Sequence, residues 1–182
     1  MLGLPRGGVL VAHEIAKALN APLDVFVVRK LGAPGQGELA MGAIASGGVQ
    51  VLNEDVIEHL GATQEEIDQV LQIEMLELAR RERLYRGGRP MPDLVGKIVI
   101  LADDGLATGS TMRAALRAVR QLGPARVVVA VPVAAMDAYT EFRAVADEVV
   151  CLSTPEPFES VGNWYDDFTQ TTDDEVRALL KS

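Results

Sequence analysis

The chain has 182 residues, of which 48% are hydrophobic and 24% are charged, and its formal net charge at pH 7 is −9. This length suits one domain with a sizeable core, and the acidic balance argues against a general nucleic-acid-binding surface. Cys151 is the single cysteine, which excludes a disulfide framework and fits a reducing cytosol, and no apolar run reaches the ~18 residues of a membrane span.

The first quarter of the chain predicts a strand, a turn, a helix and a second strand. Residues 1–4 form a minimal strand, Pro5-Arg6-Gly7-Gly8 is a tight turn, and the apolar spacing of residues 9–19 predicts a helix. The apolar stretch 23–28 predicts a buried strand that finishes at Arg29-Lys30. Residues 32–37 are rich in glycine and proline, which is typical of a loop.

The middle of the chain predicts a hairpin and a long helix. Residues 40–44 and 49–52 pair about Gly47-Gly48. Thr63 and Glu66 form a capping-box pattern, and one apolar face runs from there to about Tyr85. We therefore expect a helix over this span.

The second half of the chain alternates apolar strands with helices. Strands are predicted at 98–102, 126–133 and 148–152, and helices at 112–122, 139–146 and 173–180. Residues 153–172 are predicted to be irregular. Continuous apolar strands that alternate with helices predict an α/β fold, with a mainly parallel sheet covered by helices on both faces.

Two carboxylates, Asp103 and Asp104, follow the strand 98–102 and precede a small turn, residues 105–111. Main-chain N–H groups of such a turn and of the helix after it point at an anion, and hydroxyl groups add donors from Thr108, Ser110 and Thr111. The carboxylates can accept hydrogen bonds from vicinal ribose hydroxyls, directly or through Mg²⁺. An ordinary βα turn is the alternative, but ligands of open α/β sheets bind at this edge, so we interpret the stretch as a sugar-phosphate site.

The same stretch, VILADDGLATGST at residues 99–111, resembles the 5-phosphoribosyl 1-pyrophosphate (PRPP) signature of the type I phosphoribosyltransferases. The resemblance implies a Mg²⁺-dependent enzyme that moves the phosphoribosyl group of PRPP to a nitrogenous base and releases pyrophosphate. It implies catalytic and metal-binding roles for Asp103 and Asp104. It also implies that PRPP is bound by the loop residues Gly105, Ala107, Thr108, Gly109, Ser110 and Thr111.

Two basic turns resemble the loops of this family that face the pyrophosphate. In the first turn, Arg6 offers a guanidinium for bidentate phosphate contact, and Gly7 and Gly8 permit close backbone approach and unusual φ angles. The second is Arg29-Lys30-Leu31-Gly32. The resemblance implies catalytic roles for Arg6 and Lys30 and ligand binding by Gly7, Gly8 and Arg29. The alternatives are a solvated arginine in a Pro-Gly turn and a solvated strand end.

Five arginines gather ahead of the central strand: Arg80, Arg81, Arg83, Arg86 and Arg89. In this family a mobile segment in this part of the chain closes over the reacting centre. Residues 54–92 are therefore interpreted as a helical insertion and possible lid, whose basic groups offset the charge of departing pyrophosphate. The alternative is a solvated helix face, on which Glu74, Glu77 and Glu82 pair with arginines at helical spacing.

Residues 153–182 are interpreted as a small hood segment of the single domain, 1–182. By resemblance to relatives that salvage 6-oxopurines, Phe158 is the candidate for stacking on the base, with Trp164 second, and Asp166 is a candidate Mg²⁺ ligand. The alternative is that these aromatic residues belong to the core or to an interface.

The chain departs from the family pattern at three places. Ala107 stands where some purine-specific members carry an acid, which argues against a 6-oxopurine mechanism. The chain starts almost at the first basic loop, so either the hood is reduced or the true start lies upstream. The insertion 49–92 resembles a bacterial branch of uncharacterised phosphoribosyltransferase-like proteins.

The resemblance implies a homodimer that binds PRPP and a small base. The composition predicts a cytoplasmic protein with no nucleic-acid or membrane partner. Two alternatives stay open. One is a catalytically inactive regulatory module that binds PRPP or a nucleotide, and the other is a PRPP-forming kinase.

Overall fold

The computed structural model describes residues 1–33 and 36–181. The strands are β1 Leu2–Gly3, β2 Asp24–Val25, β3 Val28–Ala33, β4 Gln36–Ala45, β5 Val49–Leu52, β6 Ile98–Ala102, β7 Arg126–Val133 and β8 Glu148–Ser153. The helices are α1 Gly7–Leu19, α2 Glu54–Leu60, α3 Gln64–Arg86, α4 Ser110–Gln121, α5 Met136–Val145 and α6 Asp173–Leu179, with a 3₁₀ turn at Val161–Trp164.

The main sheet is parallel, and within the described residues its five strands stand in the order β2-β1-β6-β7-β8. Leu2 in β1 lies opposite Asp24 on one side and Leu101 on the other. The chain winds in opposite directions on the two sides of the β1–β6 pair, so right-handed crossovers place α1 on one face and α4 and α5 on the other. The predicted α/β fold with helices on both faces is confirmed. The carboxyl ends of β1 and β6 meet where the winding reverses, which is the usual ligand position in such sheets.

The larger hydrophobic core lies between this sheet and the α4–α5 layer. Val99 and Leu101 of β6 are buried there beside Val127 and Val129 of β7, and the helices contribute Met112, Leu116 and Phe142. Each fully buried side chain of this kind contributes about 1.5–3 kcal/mol relative to exposure. This packing holds β6 rigidly behind the two carboxylates that follow it.

The predicted strand at residues 23–28 is wrong in its extent. The parallel part ends at Val25, and β3 begins at Val28 in a separate antiparallel sheet of order β3-β4-β5. Phe26 and Val27 are both buried, so the apolar run reflects burial on either side of a change of sheet rather than one strand. Arg29 and Lys30 consequently lie inside β3 and not at the end of a parallel strand.

Other parts of the second sheet follow or correct the sequence predictions. The hairpin about Gly47-Gly48 is confirmed, with Ala43 opposite Val51 and positive φ angles of 83° and 73° at the two glycines. Of the predicted loop 32–37, residues 32, 33, 36 and 37 belong to strands. Residues 34 and 35 lie outside the described part of the chain.

Helix α3 begins as predicted. The Thr63 hydroxyl accepts a hydrogen bond from the Glu66 amide while the Glu66 carboxylate accepts one from the Thr63 amide, which completes the capping box. The helix ends at Arg86 and is capped by Gly87, which has a φ of 61°. Among the described residues, no helix combines the length and apolar content needed to cross a bilayer.

The C-terminal turn of α3 is fixed by Arg86, whose side chain is only 4% exposed. Its guanidinium donates to Asp24 Oδ1 at 3.0 Å, to Glu82 Oε1 at 2.5 Å and to the Val25 carbonyl at 2.7 Å. These bonds tie α3 to β2. Arg86 is therefore neither a solvated arginine nor a free basic group of a lid.

Several element boundaries differ by a few residues from the predictions. Helix α4 starts at Ser110 and α5 at Met136, both earlier than expected, and β8 reaches Ser153. Helix α2 lies within the segment 54–92 that was predicted to be helical, but it was not predicted as a separate element; none of its residues is fully buried. The irregular span 153–172 contains the 3₁₀ turn, and α6 begins with a second capping box, between Thr172 and Glu175.

Candidate functional site

The two carboxylates Asp103 and Asp104 lie at the reversal point of the sheet. The main chain of β6 ends at Ala102, whose carbonyl accepts a hydrogen bond from the Leu4 amide at 2.9 Å. The turn at residues 5–8 therefore leaves β1 directly beside the carboxylates. The first basic loop and the acidic pair, which are about a hundred residues apart in the chain, form one site.

Gly7 and Gly8 allow this close approach. A Cβ atom at Gly8 would lie 2.6 Å from the Ala102 carbonyl oxygen and 2.9 Å from Asp103 Oδ1, and one at Gly7 would overlap the Asp104 carboxylate. The expected close approach is therefore present. The expected unusual φ angles are not, because neither glycine is among the residues with positive φ.

Burial sets the protonation of the acidic pair. Burial, with the adjacent Asp104 charge second, raises the pKa of Asp103 to about 8. Burial also raises the pKa of Asp104, although N–H groups at Gly105 and at Asp104 itself oppose that shift. Within residues 1–33 and 36–181, no ion pair joins either carboxylate to a basic side chain. The pair is a half-buried acidic site without a basic partner among the described residues, and a bound cation would stabilise its ionised form.

The loop after the acidic pair is held by the next strand. The Leu106 amide donates to the Val133 carbonyl at 3.0 Å, and the Ala135 amide donates to the Leu106 carbonyl at 2.8 Å. Gly109 has a φ of 67° and stands against the Phe142 ring, so a side chain there would be both strained and obstructed.

Helix α4 starts at the end of this loop without a side-chain cap and without an acidic residue in its first turn. The Ser110 amide donates to Thr108 Oγ1 at 3.5 Å, a long bond, and the other N–H groups of the first turn keep their capacity to bind an anion. The geometry supports an anion site over residues 108–111.

The C-terminal segment supports the loop from the other side. The Tyr165 hydroxyl donates to the Asp104 main-chain carbonyl at 2.6 Å, and burial raises the pKa of Tyr165 to about 12, which keeps the donor protonated. Val161 packs against Gly105 closely enough that a Cβ there would lie 2.6 Å from Val161 Cγ1. Sequence reasoning missed Tyr165, and the aromatic stretch 155–168 was the only signal that pointed to it.

A cavity of about 590 Å³ opens beside Asp104. Arg6 and Gly7 line it from the first turn, Arg80 and Arg81 from α3, and the C-terminal segment completes the wall with Tyr165, Asp167, Phe168, Thr169 and Asp173. The Phe168 ring centroid lies 5.1 Å from that of Tyr165. The cavity thus joins guanidinium groups, carboxylates and three aromatic rings, those of Tyr85, Tyr165 and Phe168.

Other predicted site residues lie elsewhere. Arg29 pairs with Glu74 of α3 at 2.7 Å, and Lys30 is exposed. Four described residues that were predicted to belong to the site do not line this cavity: Lys30, Phe158, Trp164 and Asp166. Their assigned roles stay predictions.

The acidic pair fits a Mg²⁺ ion that is shared with a substrate better than a metal ion whose ligands all come from the protein. Among the described residues, no group of three or more His, Cys, Asp or Glu side chains is arranged to hold a metal. Mg²⁺ is commonly bound through one or two carboxylates together with substrate phosphates. Asp103 and Asp104 supply that number of hard oxygen ligands, and their burial without a basic partner favours a bound cation.

Comparison with known proteins points to one family. The profile of the phosphoribosyl transferase domain matches residues 1–166. A Mycobacterium tuberculosis protein, provisionally named a phosphoribosyl transferase, is 53% identical over 182 residues, which is 99% of this chain and 41% of the relative. The chain thus spans about two fifths of the length of the curated relatives that it matches first.

Solved structures agree with the fold. The crystal structure of TT1426 from Thermus thermophilus superposes with a TM-score of 0.87 at 47% identity, over 98% of this chain and 85% of that one. Among the curated sequences, a Roseiflexus protein named bifunctional protein PyrR is 34% identical over 134 residues, which is 66% of this chain and 62% of that protein. The AQ2163 protein of Aquifex aeolicus, at 16% identity and a TM-score of 0.50 over 88% of this chain and 56% of that one, shares the fold alone.

Proposed function

Because the chain belongs to the phosphoribosyl transferase family, we propose that it moves the 5-phosphoribosyl group of PRPP to a nitrogenous base and releases pyrophosphate. The observation that carries this proposal is the contact of Gly7 and Gly8 with the acidic pair Asp103 and Asp104. This contact supports a single site in which the turn at residues 5–8 would bind an anion and the two carboxylates would bind the ribose of the same ligand.

PRPP would be bound at three points. Its 5-phosphate would accept hydrogen bonds from the loop 108–111 and the uncapped start of α4. Its ribose hydroxyls would donate to Asp103 and Asp104. Its pyrophosphate would face Arg6 and the Gly7 amide. Lys30 lies on β3 outside the cavity, so its side chain would have to move toward the pyrophosphate to contact it.

Mg²⁺ would be held by Asp103 and Asp104 together with substrate oxygens. The ion would supply charge neutralisation for the pyrophosphate. Asp166 is a further candidate ligand for Mg²⁺. Its side chain is exposed to solvent and does not line the cavity.

The residues of this chain would act mainly by positioning and by charge. Arg6 would stabilise negative charge on the departing pyrophosphate, and Asp104 would stabilise positive charge on the ribose ring. Tyr165 would keep the Asp104 main chain in place. The base attacks C1 of the ribose as the C1–O bond to pyrophosphate breaks, and no covalent enzyme intermediate is expected.

We also propose a cytoplasmic homodimer that acts in nucleotide salvage. The single cysteine supports a reducing compartment. Burial raises the pKa of the Cys151 thiol, which makes it a poor nucleophile.

The test incubates the protein with PRPP and Mg²⁺ and a panel of purines, pyrimidines and orotate, and measures pyrophosphate release. Release that depends on one base supports transfer, and replacement of both Asp103 and Asp104 by Asn should abolish it. Asp55→Asn, on the exposed face of α2, is the matched control and should retain it. PRPP binding without release with any base would instead favour the regulatory module.

A further inference from the structure

Two neighbouring arginines of α3 face the same cavity as Arg6 and Asp104. Arg80 and Arg81 reach it from a helix that lies outside the parallel sheet. The anion site at residues 108–111 does not line this cavity. The two arginines therefore belong to a different part of the site from the 5-phosphate loop.

A single carboxylate holds both guanidinium groups in place. Glu77 accepts from Arg80 Nε at 2.7 Å and Arg80 Nη2 at 2.9 Å, and from Arg81 Nε at 2.8 Å. Hydrogen bonds from Arg80 and Arg81 lower the pKa of Glu77 to about 2, so it stays ionised. Both Nη groups of Arg81 and Nη1 of Arg80 make no hydrogen bond to another described residue. Glu77 therefore fixes the orientation of the two guanidinium groups, and three of their nitrogen atoms remain available to donate to a ligand.

The nearby carboxylates of the cavity are engaged in other bonds. Asp173 accepts from the Tyr85 hydroxyl at 2.7 Å. Asp167 accepts from the Thr169 amide at 2.8 Å and from its hydroxyl at 2.6 Å. These neutral donors leave both carboxylates charged, and Asp173 also interacts electrostatically with Arg80. Among the described residues the Arg81 guanidinium forms an ion pair with Glu77 only, so Arg81 has the donors best placed for a second anion.

Aromatic rings complete this part of the cavity. Tyr165 and Phe168 line the same space, and their rings offer flat apolar surface to a planar ligand. We propose that Arg80 and Arg81 bind an anionic substituent, a carboxylate or phosphate, of a planar aromatic acceptor. This inference rests on the proposed transferase function and narrows its acceptor to an anionic class.

The test measures binding separately from turnover. Ribose 5-phosphate and Mg²⁺ occupy the sugar-phosphate site, and isothermal titration then compares aromatic acids with their amides: nicotinate with nicotinamide, anthranilate with anthranilamide, and orotate with orotamide. At least one acid should bind about tenfold or more tightly than its amide, the range of a charge-assisted hydrogen bond. Arg80→Gln and Arg81→Gln should remove that preference. Arg83→Gln, exposed on the same helix, is the matched control and should keep it.

A parallel titration with inorganic pyrophosphate separates the two sources of negative charge. If Arg80→Gln and Arg81→Gln weaken pyrophosphate binding and leave the acid-over-amide preference intact, the pair serves the leaving group and the inference is overturned. Equal binding of all acids and amides by the unmodified protein also overturns it. A preference for one acid without pyrophosphate release from PRPP would keep the anion site and contradict the transferase function instead.

Discussion

The Tyr165 hydroxyl donates a hydrogen bond to the main-chain carbonyl of Asp104 at 2.6 Å. The two residues are 61 positions apart, and the bond connects the C-terminal segment to the loop that carries the acidic pair. The position of Asp104 therefore depends on a side chain beyond the parallel sheet.

Replacement of Tyr165 by Phe removes this bond and keeps the ring. We expect a loss of about 1 kcal/mol in stability and a several-fold lower kcat with a smaller change in the KM for PRPP. The measurement is steady-state pyrophosphate release together with urea unfolding. Tyr139→Phe is the control, because Tyr139 contacts Arg143 through its ring face. Equal kcat values for the two variants would show that the Tyr165 hydroxyl does not position Asp104.

Replacement of Gly7 by Ala should disrupt the site by overlap with Asp104. Gly7 is the first residue of α1, where alanine has the better intrinsic helix propensity, by about 1 kcal/mol in a helix interior. A lower Tm must therefore arise from the overlap. PRPP binding by titration should be lost as well.

A second substitution checks the cause. Gly7→Ala combined with Asp104→Ala removes the obstructing carboxylate, so the Tm should recover while pyrophosphate release stays absent. A Tm that stays low in the double variant would locate the defect elsewhere in the turn.

The acidic pair predicts a pH-dependent stability. The folded protein holds the Asp103 proton up to about pH 8, whereas an unfolded Asp releases it near ~4. The folded state binds more protons between these values, so the free energy of unfolding should fall as the pH rises through this window. Urea unfolding in EDTA at pH 5, 6.5 and 8 measures the slope, which Asp103→Asn should flatten and Asp55→Asn should leave intact. An unchanged slope in the Asp103→Asn variant would refute the raised pKa of the Asp103 carboxyl.

Arg86 should be among the most sensitive positions for stability. Replacement by Ala leaves Asp24 and Glu82 without their shared partner beside β2, and removal of one member of a buried ion pair costs about 3–5 kcal/mol. Arg83→Ala, exposed three residues earlier, should change stability by less than about 0.5 kcal/mol. Denaturant unfolding compares the two, and similar losses would show that burial of Arg86 is not the cause.

The strongest sequence predictions came from contiguous patterns. The strands 98–102 and 126–133 match β6 and β7 residue for residue, because buried parallel strands are continuous apolar runs. The run at 23–28 has the same character, yet it spans the junction of two sheets. Apolar composition reports burial and does not report which sheet a backbone joins.

The amino-acid sequence by itself determined the parallel α/β fold and the acidic, hydroxyl-rich loop at residues 103–111, since both depend on neighbouring residues. Only the tertiary structure decided which side chains share the cavity. Arg80 and Arg86 lie in one helix, yet one lines the cavity and the other is buried against β2. Helical spacing sets the direction of a side chain, and the elements packed around the helix decide what it meets there.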